Sequence, residues 1–231
     1  MEWHGRPYYS LNAFLKNTYG EKLYKIAVDA GFTCPNRDGT LGSGGCIFCS
    51  AGGSGEFAVK TADHPSVTDQ IETGLALFAH KRVGQRFIVY FQAYTNTYGP
   101  LPHLRALYTE ALRHPDVAGI SIATRPDCIT ENIVTMLVNL QQIFSDKFVW
   151  VELGLQTIHE KTADFLRRGY PLSVYDSCVS LLSQADIPVI THIIIGLPGE
   201  GEEALLSTID HLNQLGTWGV KLQLLHVLRD T

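Results

Sequence analysis

The chain has 231 residues and a mass of 25.6 kDa, with 45% hydrophobic and 18% charged residues, enough apolar material for a sizeable core and too much for a disordered chain. Its apolar runs are short, Ile193-Ile194-Ile195 among them, which excludes the ~20-residue span of a membrane helix. A formal net charge of −5 and a pI near 6.0 exclude a protein that holds nucleic acid by a strongly basic surface, while leaving room for a local basic patch.

Met1-Glu-Trp-His-Gly-Arg-Pro lacks the basic-then-apolar pattern of a secretory signal, and five cysteines cannot all pair. The expected location is therefore the cytoplasm, where cysteines more often bind metal or do chemistry than form disulfides. Apolar and β-branched runs predict strands over 23–29, 87–92, 118–123, 148–155, 189–196 and 220–226, each bounded by Gly, Pro or Asp. Between them, apolar residues at three- and four-residue spacing predict helices over 67–81, 101–113, 131–144, 159–166, 173–185 and 202–215. Ser66 and Ser173 are expected as N-caps, with Asp69 and Asp176 three residues on. Glu200, Glu202 and Glu203 place negative charge at the positive end of the last helix.

A strand followed by a crossover helix, repeated, gives an α/β parallel sheet, and its right-handed crossovers favour a partial (β/α) barrel of six strands. No linker or further repeat interrupts the pattern, so residues 1–231 are expected to form a single core domain with an N-terminal extension over 1–22. The sequence stops at Leu228-Arg229-Asp230-Thr231, directly after the sixth strand and without a covering helix, so a C-terminal part is expected to be missing.

The most informative segment follows the first strand. Cys34, Cys46 and Cys49 fall within a loop over 30–55 with spacing C-x11-C-x2-C, and Gly42, Gly44 and Gly45 let the backbone wrap closely around bound sulfur. Structural zinc normally takes four ligands, and no fourth cysteine is near; His64 lies 15 residues beyond Cys49. Three thiolates on an iron–sulfur cluster leave one iron open to a small molecule, which is a catalytic arrangement. A non-catalytic zinc- or cluster-stabilised RNA-binding module is the alternative from another class.

The cysteine loop ending in Cys-Ile-Phe-Cys resembles that of the radical S-adenosylmethionine superfamily, with the longer first gap of the Elongator catalytic-subunit group. Phe-Thr-Cys-Pro-Asn-Arg-Asp-Gly, Tyr-Phe-Gln-Ala-Tyr-Thr-Asn-Thr-Tyr, Ser-Ile-Ala-Thr-Arg-Pro-Asp, Val-Glu-Leu-Gly-Leu-Gln-Thr, Arg-Arg-Gly-Tyr and His-Ile-Ile-Ile-Gly-Leu-Pro-Gly-Glu occur in order and are similar to the bacterial YhcC/YtqA-like subfamily. The resemblance implies a [4Fe-4S] cluster on Cys34, Cys46 and Cys49, with S-adenosylmethionine on the fourth iron. It also implies one-electron cleavage of the sulfonium to a 5′-deoxyadenosyl radical, with a reductase such as flavodoxin or ferredoxin supplying the electron. The substrate it implies is a transfer RNA wobble uridine, with 5-carboxymethylaminomethyluridine converted to 5-aminomethyluridine; a non-RNA substrate is the other possibility.

In a parallel barrel the reactive face lies at the carboxyl ends of the strands. By the resemblance, Phe48 lies against adenine, and Tyr94, Thr95 and Asn96 stand where relatives meet the methionine amino group through a Gly-Gly-Glu-type segment. Ser121, Thr124 and Arg125 are expected to reach the ligand's polar groups, Glu152 the ribose with Gln156 at the end of the same strand, and Arg168 the methionine carboxylate. Tyr170 replaces a common histidine. The stretch from His192 to Gly196 resembles the segment beside adenine, with His192 in a glycine slot. Cys128 and Cys178 read as packed thiols without a role. Lys81-Arg82 with Arg86, and Arg167-Arg168, read as solvated faces or a weak RNA patch.

Overall fold

The computed structural model describes residues 3, 5–64, 66–78 and 84–226. Its elements, in order, are α1 (Leu11–Tyr19), β1 (Tyr24–Val28), α2 (Val67–Ala76), β2 (Phe87–Phe91), α3 (Leu101–Arg113), β3 (Val117–Thr124) and a 3₁₀ turn (Pro126–Cys128). Then follow α4 (Glu131–Ile143), β4 (Phe148–Gln156), α5 (Glu160–Phe165), α6 (Leu172–Gln184), β5 (Val189–Ile195), α7 (Glu202–Leu215) and β6 (Gly219–Leu224). All six strands are parallel and lie in chain order, β1 to β6. This is the α/β partial barrel expected, with each strand within two residues of its predicted bounds.

The sheet is strongly curled. Five interstrand gaps of about 4.8 Å would hold β1 and β6 about 24 Å apart in a flat sheet. Instead Lys25 of β1 and Lys221 of β6 both reach Glu152 of β4. The concave interior is built in layers, because side chains two apart on a strand share a face. Leu23, Ile88, Trp150 and Ile190 make an apolar floor. Two residues further on, Lys25, Tyr90, Glu152 and His192 make a charged middle layer; two more bring Gln92, Gly154 and Ile194 to the rim. The convex face packs Ile26, Val89, Phe91, Ile120, Ile122, Val151, Leu153 and Ile193 against the helices in one continuous core.

Helix α1 is not among the predicted elements. It is short, nine residues, yet Ser10 caps it by accepting from Ala13 N (3.2 Å) and Gly20 ends it in the left-handed region (φ 75°). It closes the floor: buried Leu15 sits with Ile88, Trp150 and Ile190, while Phe14 meets Trp218 edge-on at 5.0 Å. The 3₁₀ turn is a second unpredicted element. Helix α2 ends at Ala76 rather than 81, and residues 79–81 of the predicted span, like the Lys81-Arg82 pair, lie outside the described residues. The exit of the sixth strand at 227–231 lies outside them too.

Ser66 caps α2 as expected, accepting from Asp69 N at 2.9 Å. Ser173 does not cap α6; Pro171 holds that position with no side chain to offer, and the first free amide, Leu172 N, instead donates to Glu160 Oε1 at 2.6 Å. Glu202 and Glu203 occupy the first turn of α7, whereas Glu200 lies before its cap and accepts from Thr157 Oγ1.

Leu15→Ala should destabilise the protein by about 2–5 kcal/mol, since it opens a cavity under the barrel floor. Urea unfolding would show it as a lower midpoint with an unchanged slope; a loss below 1 kcal/mol would mean that α1 is not part of the core.

Candidate active site

Strand β1 ends at Val28, and the next 30 residues form the cysteine loop before Val59 returns to pair beside Val28. The loop has little regular structure of its own, so its shape depends on side chains from elsewhere. Arg37 donates from Nη2 to Cys49 O (3.0 Å) and Ser50 O (2.5 Å), tying the first part of the loop to its end. Asn36 Nδ2 donates to Arg167 O (2.8 Å) and Arg168 O (3.2 Å), fixing the loop to the turn after α5, and also to Cys46 Sγ (3.3 Å). From the segment just after β2, Gln92 Nε2 donates to Ser54 O (2.6 Å) and the Tyr94 hydroxyl to Ala51 O (2.8 Å). Tyr94 adopts a left-handed conformation (φ 60°), which turns the chain toward the loop.

These ties bring Cys34, Cys46 and Cys49 onto the rim of one cavity of about 280 Å³ in the barrel mouth. All three cysteines are free thiols and partly accessible. Burial pushes the Cys46 thiol up to about 11, against the Asn36 hydrogen bond and Arg125 charge that favour its thiolate. Among the described residues, no three His, Cys, Asp or Glu side chains converge on a single ion, as a tetrahedral zinc with Zn–S distances of about 2.3 Å requires. Three thiols around one opening, one already accepting an N–H, suit a cluster whose iron atoms each take one sulfur.

Below the rim lies the charged layer. The Glu152 side chain is fully buried and serves both barrel edges: Oε1 accepts from Lys25 Nζ and Ser121 Oγ, and Oε2 from His192 Nε2 at 2.7 Å, with Lys221 Nζ 3.5 Å away. Burial pushes its carboxyl up, but the His192 hydrogen bond and the Lys25, His192 and Lys221 charges outweigh that and hold it well below the usual carboxylate range. Burial lowers the pKa of Lys25 and of His192, and raises that of Tyr90.

Of the residues expected at the site, Phe48, Tyr94, Thr95, Thr124, Arg125, Glu152, Gln156, Arg168 and His192 line this cavity with the cysteines. The structure gives several of them other work. Asn96 is fully buried away from the cavity and donates from Nδ2 to Phe91 O, Ala93 O and Ala123 O, joining β2 to β3; its own carbonyl oxygen accepts from Tyr108. Ser121 is spent on Glu152, and Gly196 (φ 86°) turns the chain out of β5 without lining the cavity. Glu152 takes three hydrogen bonds within the layer, two on Oε1 and one on Oε2, which leaves one acceptor site on Oε2.

Arg168 donates from Nε to Tyr170 O, from Nη1 to Leu155 O and Thr157 O, and from Nη2 to Glu160 Oε2 (3.0 Å). One Nη2 hydrogen remains, so the expected bidentate grip on a carboxylate gives way to a single contact at most. Tyr170 is packed between Arg125 and Arg168, whose guanidinium carbons lie 5.0 and 4.8 Å from its ring centroid. Cys128 and Cys178 are buried thiols pushed up to about 12 by desolvation, as packed residues are. Sequence reasoning missed Lys25, Arg37, Gln92 and Lys221. The period-two spacing of Lys25 and Lys221 within otherwise apolar strands was the available signal.

The Radical SAM superfamily model matches residues 34–212. The chain is 42% identical over 226 residues to the uncharacterized protein YtqA of Bacillus subtilis (strain 168), covering 98% of this chain and 69% of that protein. It is 36% identical over 215 residues to protein YhcC of Escherichia coli (strain K12), covering 93% and 67%. A shorter stretch of 94 residues, 41% of the chain and 16% of the relative, is 31% identical to a tRNA uridine(34) acetyltransferase of Methanocaldococcus jannaschii. Among solved structures, archaeal Elp3 from Methanocaldococcus infernus superposes with a TM-score of 0.62 at 16% identity, covering 90% of this chain and 47% of that one. The chain thus spans about two thirds of the two curated relatives it matches over nearly its whole length.

Glu152→Gln should cost about 3 kcal/mol at neutral pH, because two ammonium groups lose their counter-charge. The depressed carboxyl contributes stability that is present above the unfolded-state value of about 4.3 and is lost as pH falls through the lower folded value. Denaturant midpoints of wild type and variant should therefore converge below about pH 4. A gap that is constant with pH would show that the ion cluster does not set it.

Proposed function

Because the chain belongs to the Radical SAM superfamily, we propose that it is an enzyme whose barrel mouth holds a [4Fe-4S] cluster on Cys34, Cys46 and Cys49 beside S-adenosylmethionine. Members of the superfamily bind both groups. When bound, the pair supplies one-electron cleavage of the sulfonium and a 5′-deoxyadenosyl radical that removes hydrogen from substrate. The observation that carries the reading is the placement of the three thiols on one rim, directly above a closed polar layer.

The chain's own residues orient and shield. Asn36 and Arg37 hold the loop so that its sulfurs face the cavity, and Asn36 lends an N–H to one of them. Phe48 offers an apolar wall, Thr124 and Gln156 offer polar atoms at the rim, and Arg168 offers one N–H. The apolar floor under α1 blocks water from the far end of the barrel. Residues 1–231 act in this reading as one core domain, working in the cytoplasm with a flavodoxin- or ferredoxin-type reductase.

For substrate, we propose a transfer RNA wobble uridine, with 5-carboxymethylaminomethyluridine converted to 5-aminomethyluridine. Support comes from the match to a protein named tRNA uridine(34) acetyltransferase and from the sequence motifs shared with the Elongator catalytic-subunit group. Mass spectrometry of wobble nucleosides from cells lacking and regaining the full-length protein tests the substrate; unchanged uridine derivatives would remove it.

Anaerobic reconstitution with iron and sulfide, followed by S-adenosylmethionine and dithionite, should yield 5′-deoxyadenosine. Cys46→Ala should lose both the cluster's visible absorbance and the nucleoside. Retention of full iron content and absorbance by that variant would overturn the assignment.

A further inference from the structure

The charged layer carries an imbalance that the cluster and S-adenosylmethionine do not explain. Two ammonium groups, Lys25 from one barrel edge and Lys221 from the other, flank the Tyr90 ring at 4.2 and 4.9 Å from its centroid. They share one carboxylate, Glu152. His192, its pKa lowered by burial, brings no further negative charge. The other cations beside the cavity are matched: Arg125 makes a two-point pair with Asp127 at 2.9 and 2.7 Å, and Arg168 reaches Glu160 at 3.0 Å. Arg37 sits within the cysteine loop and spends Nη2 on the Cys49 and Ser50 carbonyls.

The two lysines are not equivalent. Lys25 holds Glu152 Oε1 directly, with its side chain 26% exposed. Lys221 stands 3.5 Å from Oε2, whose nearer partner is His192, and its side chain is 36% exposed and lines the cavity. It donates a hydrogen bond to the Tyr90 hydroxyl at 3.2 Å. An ammonium has three donors, and a partly desolvated one without a full counter-charge favours an incoming anion.

We propose that Lys221 is the anchoring point of the substrate cavity, and that the group docked on it is a terminal carboxylate. A single negative charge balances the layer, whereas a dianion would meet repulsion from Glu152. A phosphodiester carries a sugar on each side, while a carboxylate at the end of a chain can pass the rim and reach the layer two residues below it on the strands. The methionine carboxylate of S-adenosylmethionine is expected at the rim, where Arg168 keeps one free N–H. This inference rests on that reading and deepens it: the layer selects a substrate that is acidic at the end remote from the rim.

The test uses the reconstituted holoprotein, labelled with 13C-lysine, and four probes at constant ionic strength: 5-carboxymethylaminomethyluridine, its carboxamide, acetate and acetamide. The acid nucleoside should shift the Lys221 side-chain resonance, assigned with Lys221→Arg, and bind at least about tenfold more tightly than the carboxamide, the scale of one charge-assisted hydrogen bond. Lys221→Met should reduce that preference to within about twofold while iron content stays unchanged. Equal binding of acid and carboxamide to wild type would overturn the proposal, and this comparison holds even if Lys221→Met does not fold. If neither nucleoside binds but acetate, unlike acetamide, shifts Lys221 saturably, the carboxylate site stands and the uridine substrate falls. If acetate and both nucleosides leave Lys221 unmoved, the carboxylate site is overturned, whatever 5′-deoxyadenosine assays show.

Discussion

A single buried carboxylate ties the two edges of the half-barrel to its middle strand. Glu152 lies on β4, Lys25 on β1 and Lys221 on β6, and the three can meet only if the sheet curls. The cost of desolvating Glu152 is offset by the hydrogen bonds from Ser121 and His192 as well as by the ammonium charges. Removing Glu152 leaves two partly exposed ammonium groups without their counter-charge, so the layer imposes a specific curvature as well as contributing energy. Curvature in turn sets the width of the mouth above it, where the cysteines stand.

The cysteine loop shows the complementary principle. With glycines at several turns and little regular structure, it would cost much entropy to order on its own. Its fixed points are side chains whose partners are backbone carbonyls: Arg37 onto Cys49 and Ser50, Asn36 onto Arg167 and Arg168, Gln92 onto Ser54, Tyr94 onto Ala51. Two of these come from the residues just after β2 and two from within the loop, so the rim is tied to the sheet beneath it. Arg168 illustrates the same economy. A residue that the sequence suggested for ligand binding is largely occupied in holding the turn that receives Asn36.

The strands and most helices were legible because parallel-sheet strands are runs of Val, Ile and Phe, and crossover helices have a strong 3.6-residue period. Helix α1 was not, since its nine residues gain their stability from the barrel floor rather than from their own pattern. The α6 start was misplaced because the group that satisfies its first amide, Glu160, sits 12 residues away in sequence. At the site, the three cysteines were legible from spacing alone. The partners of Glu152 were not, because Lys25 and Lys221 are 127 and 69 residues from it along the chain and meet it only through the curl. Asn96 and Ser121 were assigned to a ligand because proximity to a strand end says nothing about which way a short polar side chain points.

The layered interior also bears on how such a chain can change over time. Floor, charged layer and rim each draw on residues two apart along the same strands, so a substitution in one layer leaves its neighbours' side chains in place. Charges at the positions of Lys25, His192 and Lys221 can, however, change only as a set that keeps Glu152 matched, because the curl they hold also sets the mouth where the thiols stand. One stripe of alternating strand positions thus couples the shape of the barrel to the charge of its interior.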